Sequence, residues 1–449
     1  RGVDGVLDGK LQQGFFPESQ QLLEMSPIWF RYQPDPLSSG FFTGLRTLIS
    51  NQTSLIDFKF YSESANLGSL SDFVLEGFPE WSVASAWLAD LNLDGKLSKI
   101  YGYIDEELGI GMHGHLQELS TNSHKGIPQV TNLTGSGYLY PNGFLFELDS
   151  SAVRVSFPNV FEHVWHSEKL SGDLISWFDR DYFSLVNRNI ESVFREMEVG
   201  GSFSLSRPPL EENRSLSLFF ETRDLNLSDR HQYVPKVLPI GLKEWLDDGS
   251  LAGELSNLQF AYHGQIKHAD DLNSRRIELK GEYADLRVRY LEGWPLVNEA
   301  KGNVHLKGTE TIIRVLEGSA LGIQEFSAVL IIDNVGTNLF ADVDFTSGDN
   351  GIISFILNSP LKEELSFLSS EWQSGGTISG NMSLGFPFSN DLSSEIDLDI
   401  RFQLSDFDLI VPEYDLDFRT LEGEGGFYLP HHLSGDFQGK LFDEKISIK

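Results

Sequence analysis

The chain has 449 residues, a formal net charge of −32 and no cysteine, which excludes disulfides, thiol catalysis and thiolate metal sites. Such acidity reads first as solubility, and it argues against nucleic acid or any other polyanion as a partner over the bulk of the surface. The longest purely apolar run, Ala328 to Ile332, falls far short of the about 20 residues that a membrane-spanning helix needs.

In chain order, segments that alternate large apolar with polar residues begin at Ile56-Phe58-Phe60. They continue at Phe144-Phe146-Leu148, Val153-Val155-Phe157, Leu216-Leu218-Phe220, Leu286-Val288-Tyr290 and Leu339-Ala341-Val343-Phe345. The longest runs from Glu395 to Asp406, with Ile396, Leu398, Ile400, Phe402 and Leu404 on one side. Successive side chains of a strand point to opposite faces, so each segment has one apolar and one wet face. Between them, clusters such as Tyr140-Pro141-Asn142-Gly143 and Ser347-Gly348-Asp349-Asn350-Gly351 read as hairpin turns. The spacing predicts on the order of 30 strands, with sequence neighbours paired antiparallel.

Helical patterns are few. Pro79 to Asp90 holds Trp81, Trp87 and Leu88, and Asp181 to Glu196 carries a weaker pattern. Pro239 to Asp247 puts Leu242, Trp245 and Leu246 on one face, with proline at its start and Gly249 after its end. Pro360 to Ser370 spaces Leu361, Leu365 and Leu368 as a helix does. Glycines lead the strands that follow, at Gly95, Gly253 and Gly376, and other strands open alike at Gly302 and Gly435. No linker separates these stretches. The expected organisation is a loose repeat: residues 1–230, residues 231–355 with a helix at about 239–247, and residues 356–449 with a helix at about 360–370.

A one-sided sheet needs cover for its apolar face, and these helices are too few to supply it. The expected fold is therefore mainly β: an elongated, repetitive antiparallel sheet curled into a U-shaped hydrophobic groove, with a few short helices that cap or gate it. The residues predicted to line the groove are Phe58, Phe60, Phe144, Phe146, Leu216, Leu218, Phe220, Leu339, Val343, Phe345, Ile396, Leu398, Ile400, Phe402 and Leu404. A slip of one residue would reverse the faces of a strand. A polar substitution such as Leu398→Asp is expected to block passage along the groove while sparing the fold more than a core substitution would.

Other constellations carry less. His113-Gly114-His115 and His431-His432 have chelating spacing without a third ligand fixed nearby by sequence. The pairs Asp179/Asp181 and Glu211/Glu212 are what a chain with 66 acidic residues gives by chance. Gly135-Ser136-Gly137 opens no helix, and Gly423-Glu424-Gly425-Gly426 reads as a connection between strands. Trp87, Trp245 and Trp372 read as residues that pack helices against a sheet rim. No catalytic residue, metal or cofactor is indicated.

Val234-Pro235-Lys236-Val237-Leu238-Pro239, Leu242 to Leu246, Gly249 and Gly253-Glu254-Leu255 together resemble the central region of the YhdP family, AsmA-like envelope proteins of Gram-negative bacteria. Tyr290-Leu291-Glu292-Gly293-Trp294-Pro295, Ser359-Pro360-Leu361, Gly380 and Pro387 fall in the expected order. The resemblance implies a long β-groove, anchored to the inner membrane by one N-terminal helix, that moves phospholipid non-enzymatically to the outer membrane through the periplasm. The implied partners are phospholipid acyl chains, and membrane components reached through segments outside this sequence, which begins with Arg. An extracytoplasmic β-sandwich scaffold or adhesion protein, and a polysaccharide-active enzyme, remain open as alternatives.

Overall fold

The computed structural model describes residues 3–11, 23–24, 28–32, 55–69, 90–105, 109–124, 127–178, 182–195, 197–207, 215–236, 240–247, 251–265, 274–290, 293–332, 338–387, 397–428 and 432–449. For the strands before residue 61 the description is of the backbone alone. The chain divides into two units: Arg1–Glu221 with Gln232–Leu238 and Tyr262–Arg275, and Thr222–His231 with Pro239–Ala261 and Arg276–Lys449.

The first unit contains β1 (Val3–Leu11), β2 (Leu23–Glu24), β3 (Ile28–Tyr32), β4 (Leu55–Asn66), β5 (Asp94–Asp105), β6 (Gly109–Thr121), β7 (Gln129–Tyr140), β8 (Gly143–Ser156), β9 (Trp165–Phe178), β10 (Phe183–Phe194) and β11 (Met197–Arg207). Strands β12 (Ser215–Asn226) and β13 (Ala252–Gln265) are divided between the units. The second unit continues with β14 (Arg275–Val288), β15 (Val297–Lys307), β16 (Glu310–Ser319), β17 (Ile323–Ile332), β18 (Asn338–Ser347), β19 (Gln373–Pro387), β20 (Asp397–Val411), β21 (Leu416–Tyr428), β22 (His432–Leu441) and β23 (Glu444–Ile448). Its helices are α1 (Ile240–Asp247), α2 (Gly351–Leu357) and α3 (Leu361–Glu364).

Both units are antiparallel meanders. In the first, β1 pairs with β2, β3 and β4, and each strand from β4 to β11 pairs with the next. In the second, β14 to β23 pair consecutively. The mainly β, repetitive antiparallel fold expected from the alternation is what forms.

The curl has a specific origin. In the first unit Lys99, Glu118, Asn132 and Ala152, one on each of four successive strands, take left-handed backbone angles, and the next residue is buried: Ile100, Leu119, Leu133 and Val153. In the second unit Asn257, Glu299, Asp406 and Thr420 do the same before buried Leu258, Ala300, Phe407 and Leu421. Asp285 precedes Leu286, which packs against the core of that unit. The ladder register slips beside most of these positions, for example between Leu404 and Phe407 and between Leu116 and Leu119. They are β-bulges, and each bends its strand and restores the apolar face after a shift of parity. A file of them bends each sheet along a line, and the residues just past that line are among the most buried in their unit.

A bulge leaves backbone groups without ladder partners, and buried or half-buried polar side chains take them up. The Ser150 hydroxyl accepts from Thr134 N at 2.8 Å and donates to Thr134 O at 2.7 Å. Asn132 Nδ2 donates to the carbonyls of Ser151 and Ala152. Asn187, 1% exposed, donates to Asp173 O at 2.6 Å, and the Tyr283 hydroxyl donates to Arg314 O at 2.9 Å. Burial pushes the Tyr283 hydroxyl up to about 12, so it stays a neutral donor.

Several expectations are corrected. Asp181 to Glu196 is not a helix but holds β10. Its register slip between Asn187 and Ile190 spaces Phe183, Asn187, Ile190 and Phe194 as a helix would. Ser347 to Gly351 is not a hairpin turn: it leads from β18 into α2, and Asn350, at φ 54, bonds the backbone of Ser374 across the insert. Gly423 to Gly426 lies inside β21, and Gly302 and Gly435 lie inside β15 and β22. Helix α1 forms where the proline, apolar face and glycine placed it, whereas α3 is shorter than expected. Tyr140 and Gly143 pair across a two-residue hairpin, as expected. Of the helix expected from Pro79 to Asp90, residues 79–89 lie outside the described residues.

The bulge file predicts a sign difference at Lys99, an exposed position at φ 50. Lys99→Val is expected to lower stability by about 1–2 kcal/mol, because a β-branched side chain clashes in the left-handed region. Lys99→Gly is expected to hold or raise it. Urea unfolding midpoints of the two variants check both signs.

Candidate functional site: the apolar inner face

Each unit has its own inner face. In the first, buried Leu97, Ile100, Leu119, Leu133, Phe146, Leu148, Val153 and Leu170 form one cluster, with Met112, Leu116, Phe144, Leu174 and Ile190 packed against it. An aromatic group stands beside it on β9, where the Trp165 ring meets Phe157, Phe161, Phe194 and Tyr233 at centroid distances of 4.6–6.0 Å.

In the second unit, α1 and the turn Leu227–Gln232 bring Leu227, Leu246 and Leu251 onto Tyr283, Val288, Val297 and Ala300. Buried Arg230 fixes this cover: it donates to Leu246 O at the end of α1, to Leu227 O at 2.9 Å and to Leu251 O at 3.1 Å. Further along, α2 and α3 lay Ile356, Leu361 and Leu365 on Ala341, Leu384, Leu398 and Phe427. Trp294 packs against Phe355 of α2, with ring centroids 6.2 Å apart. The exit from α3 is held at Glu413, whose carboxyl lies below the usual range because Ser369 and Trp372 hydrogen-bond to it. Over β18 to β22, half-buried Phe402, Leu409, Phe418 and Phe437, together with Ile352 and Phe355 of α2, pack on buried Phe345, Ile378, Leu404, Phe407 and Leu421.

The residues chosen from sequence are placed as follows. Phe144 and Phe146 stand on the inner face of the first unit. Leu216, Leu218 and Phe220 share one side of β12 and are half-buried. Val343, Phe345, Leu398, Ile400, Phe402 and Leu404 stand on the inner face of the second unit, and Leu339 is buried on β18. The side chains of Phe58 and Phe60, and all of Ile396, lie outside the described residues; β4 pairs Phe58 with Gly9 and Ile104. Leu398 differs from its expectation: at 2% exposed beneath α2 and α3, it is core rather than free lining.

Ile100, Leu119, Leu133, Ala300 and Phe407 belong to the same faces and were missed, because simple alternation stops at each bulge. The findable signal was a three-residue step between apolar positions, as in Leu97–Ile100, Leu116–Leu119, Leu255–Leu258 and Leu404–Phe407.

The outer face is largely polar, with exposed aromatic and aliphatic residues on it, such as Phe340, Leu316 and Val329. Asn381 bridges Asp342 and Asp344 at 2.7 and 3.0 Å, and Arg419 pairs with Asp408 and Asp417. His113 stacks on Tyr138 at 4.5 Å within a file that continues to Tyr101 and Tyr61. Among the described residues, no group of three or more His, Asp or Glu could hold a metal ion, and no helix is long and apolar enough to cross a membrane. The pairs Asp179/Asp181 and Glu211/Glu212, like His431, lie outside the described residues. The Trp245 side chain lies outside them too, and Trp372 meets Phe367 with centroids 6.3 Å apart.

The family described as YhdP protein matches residues 24–449, nearly the whole chain. No curated protein and no solved structure matches.

Leu398→Ala is expected to cost about 2–5 kcal/mol, the range for emptying a packed core site. Phe402→Leu, on the half-buried stretch, is expected to cost less than about 1.5 kcal/mol. Chemical denaturation of the two variants separates filled from open lining.

Proposed function

Because the chain belongs to the YhdP family, we propose that it is a non-enzymatic conduit for phospholipid between the inner and outer membranes of a Gram-negative envelope. In this reading the chain works in the periplasm, and its protein is held to the inner membrane by a segment outside this sequence. Acyl chains lie against the apolar inner faces, and headgroups stay wet. The observation that carries the reading is the file of bulges, which in each unit bends successive strands around that unit's apolar face and keeps the face apolar across the bend.

The energetic need is plain. Carrying a 16-carbon tail through water costs roughly 13 kcal/mol, at about 0.8 kcal/mol per CH₂. A lining of Phe, Leu, Ile and Val removes most of that cost and requires no reacting group. Half-buried Phe144, Ile400, Phe402 and Phe437 offer ring and aliphatic surface to a chain. Helices α2 and α3 cover part of the lining in the second unit, and their contacts with it are largely apolar. A tail could replace such contacts in kind, so the two helices serve as a gate.

The test places a photocrosslinking amino acid at Phe144 and at Ile400 in the protein as the cell makes it. Phospholipid adducts are expected at both positions, and their absence at both would sink the proposal. Phe144→Asp, which puts a charge on the lining at a half-buried position, is expected to abolish adducts at a photocrosslinker on Leu174 of the same unit while the chain still folds.

A further inference from the structure

Bare backbone and aromatic rings alternate across the open part of the second unit. One register row runs Phe345–Gly380–Phe402–Gly425–Gly435 over β18 to β22, all on the inner face. The rings lie over the glycines. A Cβ at Gly380 would stand 3.1 Å from Phe345 Cζ, and one at Gly435 would stand 2.2 Å from Phe437 Cε2. Phe402 and Phe437 stack with centroids 6.1 Å apart and planes 14° apart. Both reach across Gly425, where an added Cβ would lie 2.6 Å from Phe402 Cζ and 2.7 Å from Phe437 Cζ.

Gly425 differs from the other glycines of this kind. At Gly380 an added carbon would also meet Arg401 O at 2.3 Å, and at Gly302 it would meet Arg314 O at 1.9 Å, so the ladder itself forbids a side chain. At Gly425 the three nearest atoms are all ring carbons, and the backbone angle is not left-handed. Alanine there suits the strand, and the clash can be relieved only by moving rings. Beneath the rings is backbone, and beside them are Leu404 and Leu421. Their half-buried side faces the groove, so they would move into it.

We propose that Gly425 sets the free width of the groove: its missing side chain lets Phe402 and Phe437 lie flat, leaving room for an acyl chain above them. This deepens the conduit reading and rests on it. It makes Gly425 a specificity-determining residue whose effect passes through two rings, and it explains why glycine stands inside a strand, where it otherwise weakens the sheet.

A matched control exists on the wet face. A Cβ at Gly111 of β6 would lie 2.3 and 2.4 Å from the ring of Tyr103, with the nearest atoms again all of that side chain. Gly111 alternates with inward Met112, so the displaced ring would move into solvent.

The experiment reads lipid adducts at a photocrosslinker placed at Ile400, with urea midpoints measured in parallel. Gly425→Ala is expected to lose the adducts, Gly111→Ala to keep them, and Gly425→Ala combined with Phe402→Leu and Phe437→Leu to regain them. Adducts at wild-type level in Gly425→Ala would overturn the proposal. So would failure of the triple variant to regain them while its midpoint equals that of the wild type. Should Gly425→Ala not fold, Phe402→Leu with Phe437→Leu on the glycine background decides: the widened groove is expected to capture more lipid, and unchanged capture counts against it. If the unaltered protein yields no adduct at either Ile400 or Phe144, the conduit reading itself fails, and this inference with it.

Discussion

A strand that keeps one face apolar along its whole length must alternate without interruption, unless its backbone takes up an extra residue. In both units successive strands take up that residue at matching places. The cost is a left-handed angle at positions such as Asn132, Asp285 and Asp406, where Asn and Asp are among the residues that tolerate it best. The return is a bend that the pleated ladder would not otherwise make. Everything about the inner face depends on this repeated slip.

The bend also sets where polar atoms are tolerated inside. Ser150, Asn187 and Tyr283 are buried because bulged backbone groups need partners there, and each makes a hydrogen bond to main chain. Ser150 and Tyr283 are struts of the curl, and Asn187 is one through its Nδ2, while its Oδ1 is buried without a partner. This distinction matters for a surface proposed to receive hydrocarbon, since an unsatisfied polar group there would cost about 1–3 kcal/mol.

The inner face is neither a plain core nor an empty channel. Where α1, α2 and α3 lie on the second unit, Val288, Leu384 and Leu398 are packed as in any globular interior. Phe402 and Phe437, in the cluster that Ile352 and Phe355 of α2 also join, stay half-buried. Laying rings over glycine lowers the floor without removing apolar surface, since a ring seated on backbone still shows its other face. Filled and half-buried stretches are both built from alternating residues, and they differ in how fully the helices cover them. Arg230, Asn350 and Glu413 are among the polar tethers.

Much of this was legible in the chain. Alternation in Phe144-Phe146-Leu148 and in Leu398 to Leu404 fixes strand and face, because a side chain's direction on a strand depends only on parity. Pro239 and Gly249 frame α1 for equally local reasons. Even the bulges left a mark in the three-residue steps, although in β10 the same step imitates a helix and so misleads. What the chain alone left open is which apolar residues meet a neighbour and which meet space. Leu398 and Phe402 stand four residues apart in one faultless pattern, yet one is sealed under α2 and α3 and the other is half open. That difference comes from segments distant in sequence, Ile356 to Leu365 for the first and Gly425 for the second. Only packing in three dimensions brings them together, because burial is a property of neighbours and not of pattern.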